Sequence, residues 1–532
     1  MNDDARYDAL VTRDPRFDGV FFVGVTTTGV YCRPICPART PGRARCQFYA
    51  TAALAEQEGF RACLRCRPEI APGNSDVDAI DSLVADATRR IADGALNDAS
   101  VDDLAAELGV SSRHLRRATE ARLGVSPNEL AQTRRLGLAK QLLHDTALPI
   151  TQIAFAAGFS SVRRFNAAFA ERMGSSPTQL RRVREGAGGD GITLRLDVRP
   201  PYAWDELVAF LRPRAIPGVE SVTDDRYRRV VTLPAASGAI EVGLAPGGCA
   251  IVVTLTPSLL PAIMPVVAGV RRMFDLDARP DVIARVLGRD PALAPLIARR
   301  PGLRLPGAIA GFEAGVRALL GQQVSVAAAT TFAGRLAAAV GTPTGFDPVL
   351  THRFPTAAEL VAAGPSRIAR IGLTTARAEA IHAFATAVAS GALRLDRSWD
   401  LDAFVAQAIA LPGIGPWTAH YLAMRALHLS DAFPAADLGV RKALGGTPRD
   451  AERRAEMWRP FRSYAVMHLW SGGAHVENDD VGVADRSVAA VRTRRRVDRA
   501  VPTHPRSRPA RSRGDVAGVE PNRAPARAVL RG

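Results

Sequence analysis

Four patterns of apolar and polar positions follow one another along the chain. Residues 1 to 70 are mixed and short-range, and they hold five of the six cysteines. From 79 to 184 the pattern is helical, with Arg scattered through it and Gly at the expected helix ends. From 191 to 265 apolar and polar residues alternate, as in Ile192-Thr193-Leu194-Arg195-Leu196-Asp197-Val198, and turn residues break the runs, which predicts strands. From 266 to 470 amphipathic, Ala-rich helices return. After Trp470 the periodicity stops and Arg, Pro and Gly accumulate. Residues 471–532 therefore read as a basic disordered extension, the reading preferred here over a shifted reading frame with the same pattern. Two polar stretches, Ala71-Pro72-Gly73-Asn74-Ser75-Asp76 and Glu185-Gly186-Ala187-Gly188-Gly189-Asp190, read as linkers.

Length and charge sharpen this division. A chain of 532 residues is too long for one core, and three or four domains are expected. The formal net charge of +16 predicts a polyanionic partner, either nucleic acid or an anionic membrane surface. No run of about 20 apolar residues is present to span a bilayer. The segment from Met1 to Asp18 is polar and has no apolar signal. A cytoplasmic protein is expected, in a compartment where disulfides are uncommon, so metal binding, catalysis or burial must account for the cysteines.

Two cysteine pairs stand out, Cys32-Arg33-Pro34-Ile35-Cys36 and Cys63-Leu64-Arg65-Cys66. Each lets two thiolates reach one ion from a tight turn, and together they complete a four-cysteine zinc site. Spacing alone fits a purely structural zinc knuckle as well, and a disulfide pair less well. Cys46 lies outside both pairs and reads as a buried thiol. The neighbouring residues add more. Phe17-Asp18-Gly19, the run from Phe21 through Thr28-Gly29-Val30-Tyr31-Cys32-Arg33-Pro34, and Gly59-Phe60-Arg61-Ala62-Cys63 closely resemble the N-terminal domain of the adaptive-response regulator Ada, over residues 5 to 70. The resemblance implies that Cys32 accepts a methyl group from a DNA methylphosphotriester, that Cys32, Cys36, Cys63 and Cys66 bind one zinc ion, and that Thr28, Arg39 and Arg61 contact the DNA backbone.

The next segment repeats itself at a spacing of about 50 residues. Leu104-Ala105-Ala106-Glu107-Leu108-Gly109-Val110-Ser111-Ser112 is echoed by Ile153-Ala154-Phe155-Ala156-Ala157-Gly158-Phe159-Ser160-Ser161. Gly124-Val125-Ser126-Pro127 is likewise echoed by Gly174-Ser175-Ser176-Pro177. A helix, a Gly turn and a Ser-capped second helix make a helix-turn-helix. Two in tandem, joined by a helix from Pro127 to His144, resemble the AraC family of DNA-binding domains. Arg113, His114, Arg116 and Arg117 in the first unit, and Arg163, Arg164 and Asn166 in the second, are expected at or near DNA, about half of them as phosphate contacts or bystanders.

In the last segment Leu411-Pro412-Gly413-Ile414-Gly415-Pro416-Trp417 reads as a helix-hairpin-helix loop. Backbone N–H groups at Gly413 and Gly415 can meet a phosphate there, and loop carbonyls can hold a monovalent cation. A plain helix-helix turn reads alike. With Phe433-Pro434-Ala435-Ala436-Asp437-Leu438-Gly439-Val440, Trp458-Arg459-Pro460-Phe461-Arg462-Ser463-Tyr464-Ala465 and Leu320-Gly321-Gln322-Gln323-Val324-Ser325, the loop is similar to 3-methyladenine DNA glycosylase II, AlkA, over residues 191 to 470. The resemblance makes Asp437 the catalytic carboxylate, though a lone Asp before a helix is also an N-cap. Trp417, Tyr421 and Trp470 are expected to stack on a flipped, cationic purine, or else to be core aromatics. Trp417 stands where lyase relatives carry lysine, so no Schiff base is expected. Cys249, in Gly247-Gly248-Cys249-Ala250, lacks the Pro-Cys-His-Arg setting of an O6-alkylguanine acceptor and reads as a core thiol.

The expected fold is multidomain α+β. It comprises a four-cysteine zinc domain (1–70), an all-α tandem helix-turn-helix (79–184), a small antiparallel β-sheet subdomain (191–265) and a helical glycosylase bundle (266–470). The expected function is bifunctional: transcriptional activation switched by self-methylation, and hydrolysis of the N-glycosidic bond of alkylated purines. Double-stranded DNA is the expected partner, joined by RNA polymerase when the protein is activated, with a nucleoid-associated location. The alternative is a glycosylase that the front half merely targets to DNA.

Overall fold

The computed structural model describes residues 1–73, 82–181, 191–395 and 400–472. The second predicted linker and the second half of the first, residues 74–76, lie outside the described residues. So does the basic tail, apart from Ser471 and Gly472, which finish the helix Arg462–Gly472. Among the described residues no helix is long and apolar enough to cross a membrane.

The first module is a four-stranded sheet. Phe22–Val25 pairs antiparallel with Val30–Cys32 on one side and Cys46–Tyr49 on the other, and Arg61–Ala62 adds parallel to Val30–Cys32. Strand alternation sends Phe21 and Val23 into one small core with Leu10 and Cys46, and Phe22 with Tyr31 into another. Cys46 is thus a buried thiol, as its isolation from the two pairs predicted.

The two halves of the repeat fold alike. Val101–Glu107 turns at Gly109 (φ 72°) into Ser112–Leu123, and Ile150–Ala156 turns at Gly158 (φ 81°) into Val162–Met173. Ser111 and Ser161 cap the second helices by accepting from the N–H of His114 and Arg164, each at 3.2 Å. Both helices stop at a left-handed glycine, Gly124 or Gly174, followed by a Ser capping box completed by Glu129 or Gln179. The joining helix is Pro127–Asp145.

Residues Ile192–Asp197, Ala250–Leu255, Ala236–Leu244, Arg226–Leu233 and Glu220–Thr223 form, in that order, a five-stranded antiparallel sheet. One part of this segment differs from the all-strand expectation, because Trp204–Leu211 is a helix. Its apolar residues Trp204, Leu207, Val208 and Leu211 recur at helical spacing, and all four are buried. The helix Ile263–Met273 packs into the same core as the sheet. Cys249 is a second correction. It is exposed, because Gly247 and Gly248 (φ 90° and 72°) turn the chain between two strands just before it. The remaining helices, from Pro280–Leu287 to Arg462–Gly472, bury Leu319, Phe384, Phe404, Leu422, Trp458 and their neighbours in one core.

Candidate metal centre and glycosylase site

The two cysteine turns converge. The sulfurs of Cys32, Cys36, Cys63 and Cys66 all lie within 4.8 Å of one another. Tetrahedral zinc with bonds of about 2.3 Å sets its sulfurs about 3.8 Å apart, so the donor set and spacing fit that ion. The backbone supports the anionic form of the sulfurs: the N–H of Arg33 donates to Cys66 Sγ and that of Arg65 to Cys63 Sγ, each at 3.4 Å. Cys36, Cys63 and Cys66 are buried and Cys32 is half-buried. It opens on a groove of about 470 Å³ whose lining includes Thr28, Arg39, Arg61 and, from the second helix-turn-helix, Gly174. Arg39 and Arg61 are exposed, and neither is paired with a carboxylate among the described residues. The three residues matched to backbone contacts thus line the same groove as Cys32.

The second cysteine turn is braced from the joining helix. Buried Lys140 donates to the Cys63 carbonyl at 3.0 Å and pairs with Glu69 at 2.8 Å. Arg67, next to Cys66, pairs with Asp145 at 2.7 Å.

On the helix-turn-helix pair, Arg113, His114, Arg116 and Arg117 flank buried Leu115, and Arg163, Arg164 and Asn166 flank buried Phe165. All seven are exposed, and none of the arginines is paired with a carboxylate among the described residues. Leu115 and Phe165 anchor each helix to the core and leave these side chains on its outer face.

In the helical bundle the loop before Pro416–Arg425 needs its glycine twice over. Gly413 has φ 75°, and a Cβ there would meet the Ala380 Cβ at 2.5 Å. Gln322 braces this loop by donating to the Gly413 carbonyl at 2.8 Å and to Thr418 Oγ1 at 3.0 Å. Asp437 caps the helix Leu438–Leu444 through its Oδ1, which accepts from the Val440 N–H at 3.0 Å. The same oxygen accepts from the Trp470 indole at 2.8 Å, and Oδ2 accepts from the Trp417 indole at 3.1 Å. The helix cap and the acceptor of both indole N–H groups are one side chain. Trp417 stacks on Tyr421 with ring centres 5.3 Å apart, and Tyr421 lies 6.4 Å from Trp470. Every ring in this group is half-buried, which leaves an aromatic surface open beside the carboxylate.

Family comparisons divide the chain in the same way. Residues 5–69 match the metal binding domain of Ada and 104–183 a helix-turn-helix domain. Residues 193–310 match the AlkA N-terminal domain and 316–460 the HhH-GPD superfamily of base excision DNA repair proteins. A Mycobacterium tuberculosis protein named probable bifunctional transcriptional activator/DNA repair enzyme AlkA is 42% identical over 492 residues, which cover 90% of this chain and 98% of that one. The chain belongs to this Ada–AlkA family. Its AlkA part is 36% identical to Escherichia coli DNA-3-methyladenine glycosylase 2 over 276 residues, 95% of that protein's length. Its Ada part is 32% identical to the E. coli bifunctional transcriptional activator/DNA repair enzyme Ada over 195 residues, which is 52% of that protein.

Sequence reasoning missed several neighbours of the Ada–AlkA sites. Phe210, on the unforeseen helix, stacks on Trp470 with planes 8° apart and centres 6.4 Å apart. Two guanidiniums lie over its ring, Arg214 at 3.8 Å and Arg425 at 4.8 Å. Burial lowers the pKa of both, that of Arg214 to about 10. The spacing of Trp204, Leu207, Val208 and Leu211 was the signal that could have revealed the helix carrying Phe210. No local signal marks Gln322 as a brace for a loop 91 positions away.

Proposed function

We propose that this chain carries out two chemistries on DNA and that one of them switches on its role as a transcriptional activator. In the first, the Cys32 sulfur attacks the methyl carbon of a methylphosphotriester. A sulfur–carbon bond forms as the carbon–oxygen bond breaks, and the electron pair stays on the phosphate oxygen, restoring an ordinary phosphodiester. Zinc held by Cys32, Cys36, Cys63 and Cys66 would keep the thiol deprotonated and hence nucleophilic. Thr28, Arg39 and Arg61 would hold the flanking backbone. The product is a thioether that water does not hydrolyse, so each molecule acts once. The methylated protein would then bind its promoter through the tandem helix-turn-helix, with RNA polymerase as the partner, at the nucleoid.

In the second chemistry a purine methylated at N3 or N7 leaves without needing a proton, because it already carries positive charge. Asp437 stabilises the sugar cation and steers water, while Trp417, Tyr421 and Trp470 hold the extruded base. The observation that carries this reading is the meeting of the Asp437 carboxylate with two indole N–H groups beside an open aromatic surface. The hairpin loop around Gly413 and Gly415 would take a DNA phosphate and a monovalent cation. The Gly413 carbonyl keeps one lone pair beyond its bond from Gln322.

The lesion range tests both parts. Duplex containing 3-methyladenine is expected to yield free base and an abasic but uncut strand. Borohydride should trap no covalent complex, since Trp417 replaces the lyase lysine. Duplex containing O6-methylguanine should keep its methyl group, even though the Cys249 thiol is open to solvent. Strand cleavage, or a methyl group on Cys249, would contradict the assignment.

A further inference from the structure

The residue after Cys32 joins the two halves of the chain. The Arg33 guanidinium is buried, with only 3% of its side chain exposed, between two carboxylates. Its Nε donates to Asp18 Oδ1 at 2.8 Å, and its Nη2 pairs with the other Asp18 oxygen. Its Nη1 donates to Asp197 Oδ2 at 2.8 Å and to the Cys66 carbonyl at 3.0 Å. Asp18 belongs to the metal module, whereas Asp197 ends the first strand of the glycosylase sheet, 164 positions from Arg33. Two residues further on, fully buried Arg199 donates to the Asp18 carbonyl at 2.9 Å and to the Gly73 carbonyl at 2.6 Å. One guanidinium therefore touches the backbone of a cysteine in the second pair, belongs to the residue after Cys32 of the first, and is held by a carboxylate of the enzyme half.

We propose that Asp197, in the glycosylase half, is a positioning residue for the methyl acceptor. The inference rests on reading Cys32 as that acceptor. Asp197 fixes Arg33 and, through it, the relative placement of the two cysteine turns, so that the Cys32 sulfur faces the groove. Its charge matters too. Asp197 also accepts from the Arg195 Nε through its other oxygen at 2.8 Å, so the two guanidiniums and two carboxylates of this cluster balance in charge. With Asp197 neutralised that balance is lost: Arg33 keeps Asp18 and the Cys66 carbonyl, but its Nη1 has no ionic partner and no longer ties the two cysteine turns to the sheet.

The test uses full-length, metal-loaded protein and single-turnover methyl transfer from a methylphosphotriester duplex at several DNA concentrations. Asp197→Asn is expected to lower the limiting transfer rate about tenfold or more. The half-saturating DNA concentration should stay at the parental value, because Asp197 is no part of the groove. Asp197→Glu should restore most of the rate. In the cobalt-substituted protein the thiolate-to-metal absorption of Asp197→Asn should shift from that of the parent. Release of 3-methyladenine should remain parental, reporting an intact sheet. If Asp197→Asn loses base release as well, Arg33→Lys takes its place. It keeps the cation without the fork that spans both carboxylates, and the same selective loss of limiting rate is expected. A parental limiting rate in the informative variant overturns the inference, whereas a parent protein that accepts no methyl overturns the acceptor reading beneath it.

Discussion

Asp437→Asn is expected to slow release of 3-methyladenine from duplex DNA by at least about a hundredfold while leaving DNA affinity close to the parental value. The carboxylate accepts three N–H groups, from Val440, Trp417 and Trp470. Those bonds orient it beside the aromatic surface. Asparagine can keep the helix cap with its single oxygen. It then turns an NH2 group towards one of the indole donors, and it presents no charge to a developing sugar cation. The loss should appear in the chemical step, so single-turnover excision at saturating protein is the measurement. Near-parental excision by Asp437→Asn would remove this carboxylate from the mechanism.

Methylation of Cys32 is expected to tighten DNA binding about five- to a hundredfold, with most of the gain at low salt. Four thiolates outweigh the two charges of zinc by two units, and converting one to a thioether halves that excess. The change would fall in the groove lined by Thr28, Arg39 and Arg61, where excess negative charge would oppose a DNA backbone. One charge at such an interface is worth roughly 1 to 3 kcal/mol. Screening at moderate salt should shrink the difference. The comparison is between dissociation constants of unmethylated and Cys32-methylated protein on one promoter duplex across a salt series. Equal affinities throughout would leave the metal module as a repair device without a charge switch.

The sequence revealed most where chemistry is local. Ser111 with Gly124 and Ser161 with Gly174 announce both helix-turn-helix units, because caps and left-handed glycines act within a few residues of themselves. The four cysteines announce their cluster because tight turns limit what they can bind. The helix Trp204–Leu211 was hidden because it is two turns long and set among strands, so its apolar spacing is brief. Phe210 and Arg214 then reach the aromatic group through tertiary packing that no window of sequence contains. Cys249 misled because strand-like neighbours suggested burial, whereas two positive-φ glycines place it in a turn. The bond between Arg33 and Asp197 spans two domains and leaves no local mark in either.

The most direct test of the account is peptide mass mapping of the full-length protein after incubation with duplex carrying both methylphosphotriesters and 3-methyladenine, with released base measured in the same sample. One added methyl group per chain is expected, located on Cys32 with Cys46 and Cys249 unmodified, together with continuing release of free 3-methyladenine. A methyl group found elsewhere, an unmodified Cys32, or no released base would contradict it.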